Sequence, residues 1–218
     1  MSEPDKKRPY HSRLRQEAAE ATHRNILEAA RRLFAAHGYV PTTISAIASE
    51  AGVSVATVTV GFGTKLALLE AVVKWDVRGE ATPLPLAARP WWQEILRDPD
   101  PRRRLARYAK NVRRFHERTT DLFEIVRSAA AAEPALATLR RKLGESHYQD
   151  DRRMAELLAQ QGVLSGVTIE LATDLLCALG SADLYRVLII DRSWTPERYE
   201  QWLAATWIHA LLEGLGIE

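Results

Sequence analysis

Residues 42–65 read TTISAIASEAGVSVATVTVGFGTK, and the fold turns on how this stretch is read. Thr42 or Thr43 is positioned to cap a short helix through Glu50, with Ile44, Ile47 and Ala48 on its buried side, and Gly52 ends it. Ser54 is positioned to cap a next helix, and Thr64 another running from Lys65 to about Arg78. Between these caps, SVATVTVGF (54–62) alternates like a strand and is rich in β-branched residues, so propensity alone makes it β. A lone strand among helices would have no partner for its backbone, and tight turns flank it on both sides. Tertiary context is therefore expected to impose a helix. A helix, a glycine-containing turn and a short helix opened by Ser make a helix-turn-helix. Ala48 is small where the two helices would cross, Gly52 turns the chain, and Val53 plugs the space between them.

The surrounding sequence carries helix punctuation throughout. From Gln16 to His37, Ile26, Leu27, Ala30, Leu33 and Phe34 recur at helical spacing, and Gly38 supplies a stop. Residues 79–90, GEATPLPLAARP, hold three prolines and no period, which predicts a domain linker. Trp91 to Arg97 fits one or two helical turns. Asp100 and Pro101 then open a long helix to Ala132, where Glu133-Pro134 interrupts it. Helices are expected over about 135–160 and 168–191, separated by Gly162 and Gly166. Thr195-Pro196-Glu197 starts a last one ending near Gly214. The fold class is all-α: an N-terminal three-helix helix-turn-helix domain and a larger C-terminal helical bundle. The expected boundaries are a flexible basic arm (1–15), the helix-turn-helix domain (16–64), a connecting helix (65–80) and the C-terminal domain (81–218).

Composition narrows the function classes. The 218 residues are 46% hydrophobic and 27% charged, with a net charge of +2, so bulk charge cannot supply affinity for nucleic acid. Residues 1–65 nevertheless carry nine Lys/Arg against six Asp/Glu, which points the N-terminal part toward an anionic partner. A single cysteine, Cys177, excludes an intrachain disulfide framework and a Cys-based zinc cluster. No stretch approaches the roughly 18 apolar residues of a membrane span, and the start lacks an apolar signal region; the expectation is a cytoplasmic protein with no membrane partner. The six His are scattered. There is no Ser nucleophile elbow, Walker loop or dinucleotide fingerprint, so no enzyme, metal or cofactor is predicted.

A helix-turn-helix sets the start of its second helix against base edges in the major groove. At these residues the sequence resembles the tetracycline-repressor (TetR) family of bacterial transcriptional regulators. The matching text is Ile26-Leu27-x-Ala29-Ala30-x-x-Leu33-Phe34-x-x-x-Gly38-Tyr39, Thr43, Ile47-Ala48, Ala51-Gly52-Val53-Ser54-x-x-Thr57-Val58 and Phe62-Gly63-x-Lys65-x-x-Leu68-Leu69. It covers about the first 70 residues; the rest matches only in helical character, which in this family forms the ligand-binding and dimerising part. The resemblance implies that Val55 and Ala56 face bases and that Thr43, Thr57 and Lys65 touch phosphates, while Val58 and Phe62 point inward. Thr42, Ser54, Thr59, Val60 and Gly61 complete the expected DNA-binding set. Two positions depart from the family pattern: Thr59 stands where Tyr is usual, and Gly61 where His or Tyr is frequent. Both changes remove aromatic groups used on the DNA backbone. The apolar face Val55, Ala56 and Val60 suggests contacts to thymine methyls.

Beyond the linker, aromatic residues at helical spacing suggest an apolar effector cavity lined by Tyr108, Phe115, Phe123, Met154, Leu157, Tyr185 and Trp207, with Arg127 as anchor for an acidic ligand. Arg102 to Arg118 holds eight basic residues, but Leu105, Tyr108, Ala109, Val112 and Phe115 form an apolar stripe within it. These charges therefore read as a solvated face, with Glu117, Asp121 and Glu124 as available partners. The last two long helices carry apolar residues on more than one side. They predict a homodimer through Leu176, Leu179, Tyr185, Trp202, Ala205, Ile208 and Leu212, with Gly180-Ser181-Ala182 allowing close approach. The functional expectation is a repressor released from a palindromic double-stranded DNA operator by a small-molecule effector. A ligand-independent or partner-regulated DNA-binding dimer, and a helical ligand-binding protein that has lost DNA binding, fit the same residues.

Overall fold

The computed structural model describes residues 8–78, 86–130 and 134–214. Helix α1 (Arg8–His37) is followed by α2 (Ile44–Glu50), α3 (Val55–Phe62) and α4 (Lys65–Arg78). The body comprises α5 (Pro90–Arg97), α6 (Pro101–Ala129), α7 (Pro134–Gln160), α8 (Ile169–Leu179), α9 (Ala182–Arg186) and α10 (Pro196–Ile208). No strand occurs among the described residues, and SVATVTVGF is helical.

Side-chain caps set most of the starts. Thr43, Ser54, Thr64, Thr168, Ser181 and Thr195 each accept a backbone N–H from three residues on, satisfying donors that a helix start leaves orphaned. Asp100 caps α6 by accepting the Arg102 N–H, two residues on, with Pro101 behind it. Helix α1 begins at Arg8, ahead of the expected Gln16, because nothing in Ser12–Glu20 breaks a helix and most of those residues favour one. Arg8, Arg13 and Arg15 thus lie on a helix, while Lys6 and Lys7 lie outside the described residues, as do 79–85 of the expected linker and Glu133. The expected helix over 168–191 is broken. It stops at Leu179, resumes at Ala182 and widens into a π-helical turn over Val187–Asp191. A second π-helical turn, His209–Glu213, extends α10.

Two cores hold the chain together. The first gathers Phe34, Ile47, Val58, Leu68 and Leu69 from α1–α4 with Val126 near the end of α6 and Leu136 near the start of α7. The second packs Tyr108, Met154, Leu158, Leu176, Leu203 and Trp207 from α6, α7, α8 and α10. Helix α6 therefore belongs to both. Arg31 strengthens the join, pairing with Asp76 at 2.7 Å and donating to the Arg118 carbonyl at 3.3 Å. No single helix among the described residues is long and apolar enough to cross a membrane.

Candidate nucleic-acid interface and body cavity

Helices α2 and α3 meet at 110°. The turn depends on Gly52, whose φ of +66° suits a residue without Cβ, and on Val53, whose N–H returns to the Ala48 carbonyl at 2.9 Å. Val58 is fully buried and Phe62 half-buried against the head core, with His23 of α1 stacked on the Phe62 ring at 4.6 Å. That anchorage turns Val55, Ala56, Thr57, Thr59, Val60 and Gly61 outward, Val60 reaching 89% exposure. The outward face carries no charge. Its hydroxyls are partly engaged within the helix: Thr59 donates to the Val55 carbonyl at 3.0 Å, and Thr57 shares a hydrogen bond with Ser54 at 2.8 Å.

Thr42 does not belong to this surface. It is buried, and its hydroxyl hydrogen bonds to the carbonyls of Gly38 at 2.7 Å and Leu33 at 3.3 Å, tying the loop to the end of α1. The cap role falls to its exposed neighbour Thr43. Lys65 lies at the start of α4, beside the loop rather than free of it. Its Nζ donates to the Tyr39 and Val40 carbonyls at 3.0 and 3.1 Å and lies over the Tyr39 ring.

Four arginines of the basic run on α6 are paired with acids of the body, while Lys110, Arg114 and Arg118 are exposed. Arg103 and Arg107 converge on the buried Asp98, Arg102 pairs with Glu213 at 2.7 Å, and Arg113 lies between Glu117 and Glu200 at 2.6 and 2.7 Å. Of the partners expected from sequence, Glu117 serves this run. Glu124 instead holds Arg127, and no ion pair forms at Asp121 among the described residues.

A cavity of about 290 Å³ opens between α6, α7 and the α8–α9 break, with Val77 of α4 and Trp91 of α5 at its edge. Tyr108, Phe115, Phe123 and Arg127 are among its lining residues. Met154, Leu157, Tyr185 and Trp207 are not: Met154, Tyr185 and Trp207 are buried in the second core, and Leu157 packs against it. Arg127 is a poor anchor for an acid, because the Glu124 carboxylate already takes its guanidinium at 2.5 and 2.8 Å.

Sequence reading missed the polar wall of the cavity. His116 and His147 line it, and Asp151 lies behind them with a fully buried side chain. Tyr108 donates to Asp151 Oδ1 at 2.7 Å; His147 Nε2 lies 3.6 Å from Oδ2. Burial pushes the Asp151 carboxyl up to about 6 and the His116 imidazole down to about 4. The available signal was spacing: Arg140, Gly144, His147 and Asp151 recur every three or four residues along α7. Such a stripe in a charged helix reads as solvated surface unless its partners are known. Among the described residues no group of His, Cys, Asp and Glu is arranged to hold a metal ion.

Residues 26–72 match the model of a family described as bacterial regulatory proteins, tetR family. The head carries the helix-turn-helix of the TetR family. The family model spans the DNA-reading head, and the body joins it by fold. A TetR-family transcriptional regulator from Syntrophomonas wolfei superposes with a TM-score of 0.72 at 17% identity, covering 91% of this chain and 98% of that one. The TetR-family regulator PfmR from Thermus thermophilus gives 0.62 at 24% identity over 88% and 99%. A transcriptional regulator from Saccharomonospora viridis, solved in complex with choline, gives 0.67 at 24% identity over 87% and 97%. No curated protein matches the sequence. By this helix-turn-helix, the chain is a DNA-binding regulator of transcription.

Proposed function

We propose that the protein is a repressor that binds a palindromic operator as a homodimer and is released by a small molecule in the body cavity. The observation carrying the DNA half is the outward side of α3, which is exposed, uncharged and held at a fixed angle by Val58 and Phe62. Val55, Ala56 and Val60 would meet thymine methyls, with Thr43, Ser54, Thr57, Thr59 and Lys65 against the backbone. Gly61 adds no side chain and lets the phosphate backbone approach the helix closely.

Release draws support from the double membership of α6. Phe123 and Arg127 line the cavity, while Leu122, Ile125 and Val126 of the same turns sit in the head core. Helix α4 repeats the arrangement: Val77 edges the cavity, and Leu69, Val72 and Val73 lie in the head core. A ligand favouring one setting of α4 and α6 shifts the population away from the DNA-binding one. The cavity and the choline-bound S. viridis relative favour this reading over regulation by a partner protein. Dimerisation would use the outer faces of α8 and α10, where Leu179, Trp202, Ile208 and Leu212 are half-buried and Ala205 is exposed. Leu176 and Tyr185 are withdrawn from that set, because both are buried in their own core. Gly180 likewise serves a close approach within the chain, to Trp207.

Selection of binding sites from random duplexes tests the reading. An inverted repeat with A·T-rich contact positions is expected, and Val55 or Ala56 replacements should change the preferred sequence. Selection of G-specific central contacts, or of no symmetric site, would contradict it.

A further inference from the structure

The chemistry of the cavity's polar wall identifies what it can take. His116 is buried and its Nε2 lies 2.7 Å from the Gly180 carbonyl. A carbonyl oxygen only accepts, so Nε2 carries the ring proton. Burial holds the imidazole neutral down to about pH 4, which leaves Nδ1 a lone-pair acceptor; it has no hydrogen-bond partner. Asp151 accepts the Tyr108 hydroxyl through Oδ1, and its buried Oδ2 likewise has no hydrogen-bond partner. His116 Nδ1 therefore stands unpartnered on the cavity wall, and the Asp151 carboxylate lies behind that wall with His147 Nε2 3.6 Å from its Oδ2.

Of the four arginines lining the cavity, two are paired, and Arg140 forms no ion pair among the described residues. Arg127 is held by Glu124, and Arg186 pairs with Asp191 at 3.2 Å. Asp150, which also lines the cavity, is met by Arg153 at 3.3 Å. The remaining walls include Trp91, Tyr108, Phe115 and Phe123, whose ring faces attract positive charge. An anionic ligand would meet lone pairs and a buried carboxylate; an N–H donor with a positive charge satisfies both.

We propose that this cavity binds a protonated organic amine, its ammonium N–H groups directed to His116 and the Asp151 side and its apolar body against the aromatic walls. The volume of about 290 Å³ suits a small molecule. As a statement about the effector's class, the proposal rests on the reading of the cavity as the effector site.

The test is calorimetric titration of the full-length protein with three ligands sharing one body: phenylbutylamine, phenylbutanol and phenylbutyrate. The amine is expected to bind about tenfold or more tightly than the alcohol, with the carboxylate weakest. Asp151→Asn keeps an acceptor for Tyr108 while removing the charge. It should cut the amine's advantage to about threefold or less, with folding checked by helical circular dichroism. An alcohol or carboxylate matching the amine, no binding of any of the three, or a folded Asp151→Asn protein that keeps the full preference would overturn the proposal. Adding each ligand to the DNA complex separates the two readings. Tight amine binding without release removes the effector role and leaves the amine site standing. Release by the carboxylate and not the amine removes the amine class and leaves the effector role standing.

Discussion

Two residues at the edge of the recognition unit divide labour that sequence alone leaves open. Thr42 and Thr43 are equally good caps by composition; backbone geometry gives the cap to Thr43 and turns Thr42 inward onto Gly38 and Leu33. Thr42→Val should therefore cost about 1 kcal/mol in denaturant unfolding while leaving the preferred DNA sequence unchanged. Lys65→Ala should weaken DNA binding evenly across sequences and lower the salt slope by about one unit, as expected of a phosphate contact. An unchanged slope would assign Lys65 only to its bonds with Tyr39 and Val40. His116 and Asp151 carry opposed pH dependences. Burial lowers His116 from its ordinary 6.5 to about 4 in the fold, so its contribution is full above pH 6.5 and lost as pH falls toward 4. Asp151 titrates at about 6 against 3.8, so its contribution is full below pH 3.8 and lost as pH rises through 6. Across the shared window the slopes offset. Relative to the parent, His116→Asn should gain stability on acidification from about pH 6.5 to 4.5, and Asp151→Asn should lose it, each on the order of 2 kcal/mol in denaturant unfolding. His147 stands close enough to modulate both slopes, and Asp150 that of Asp151.

At the scale of the elements, the break between α8 and α9 is the feature least visible in the sequence. Residues 168–191 read as one apolar helix, and Gly180-Ser181 looks like a gap for a partner. In the fold a Cβ on Gly180 would lie 2.8 Å from the Leu176 carbonyl and 3.0 Å from the Trp207 ring. Gly180→Ala is thus expected to cost about 1–3 kcal/mol, read as a lower melting temperature, and to disturb the His116 contact. Elsewhere local chemistry was legible. Caps at Thr43, Ser54, Thr64, Asp100 and Thr195 and the stop at Gly52 fall where hydroxyls, Asp-Pro and glycine put them, because capping is settled within four residues. The β-like segment 54–62 yields to helix for the reason its surroundings gave. The cavity's polar wall depends on contacts between helices far apart in sequence: in the run Gln149-Asp150-Asp151, Asp151 looks solvated until Tyr108 of another helix covers it. Among the aromatic residues, Tyr108, Phe115 and Phe123 line the cavity whereas Tyr185 and Trp207 fill the second core, since size and hydrophobicity announce burial but not which space is filled.

Across the whole molecule, a nearly neutral chain reads DNA through placement rather than bulk charge. Four arginines of the α6 basic run are paired with Asp98, Glu117, Glu200 and Glu213 of the body, and in the proposed dimer specificity would come from two positioned recognition helices. Ile208→Glu with Leu212→Glu should yield monomers in sedimentation and lower DNA affinity by an order of magnitude or more, because each half-site then binds alone. Retained dimers would move the interface elsewhere. The most direct test of the account is a gel shift and footprint on the DNA flanking the protein's own gene, at fixed salt with unrelated duplex as competitor. The account predicts a twofold-symmetric protected site, retarded in excess competitor; no retardation, or retardation that unrelated DNA abolishes equally, would contradict it.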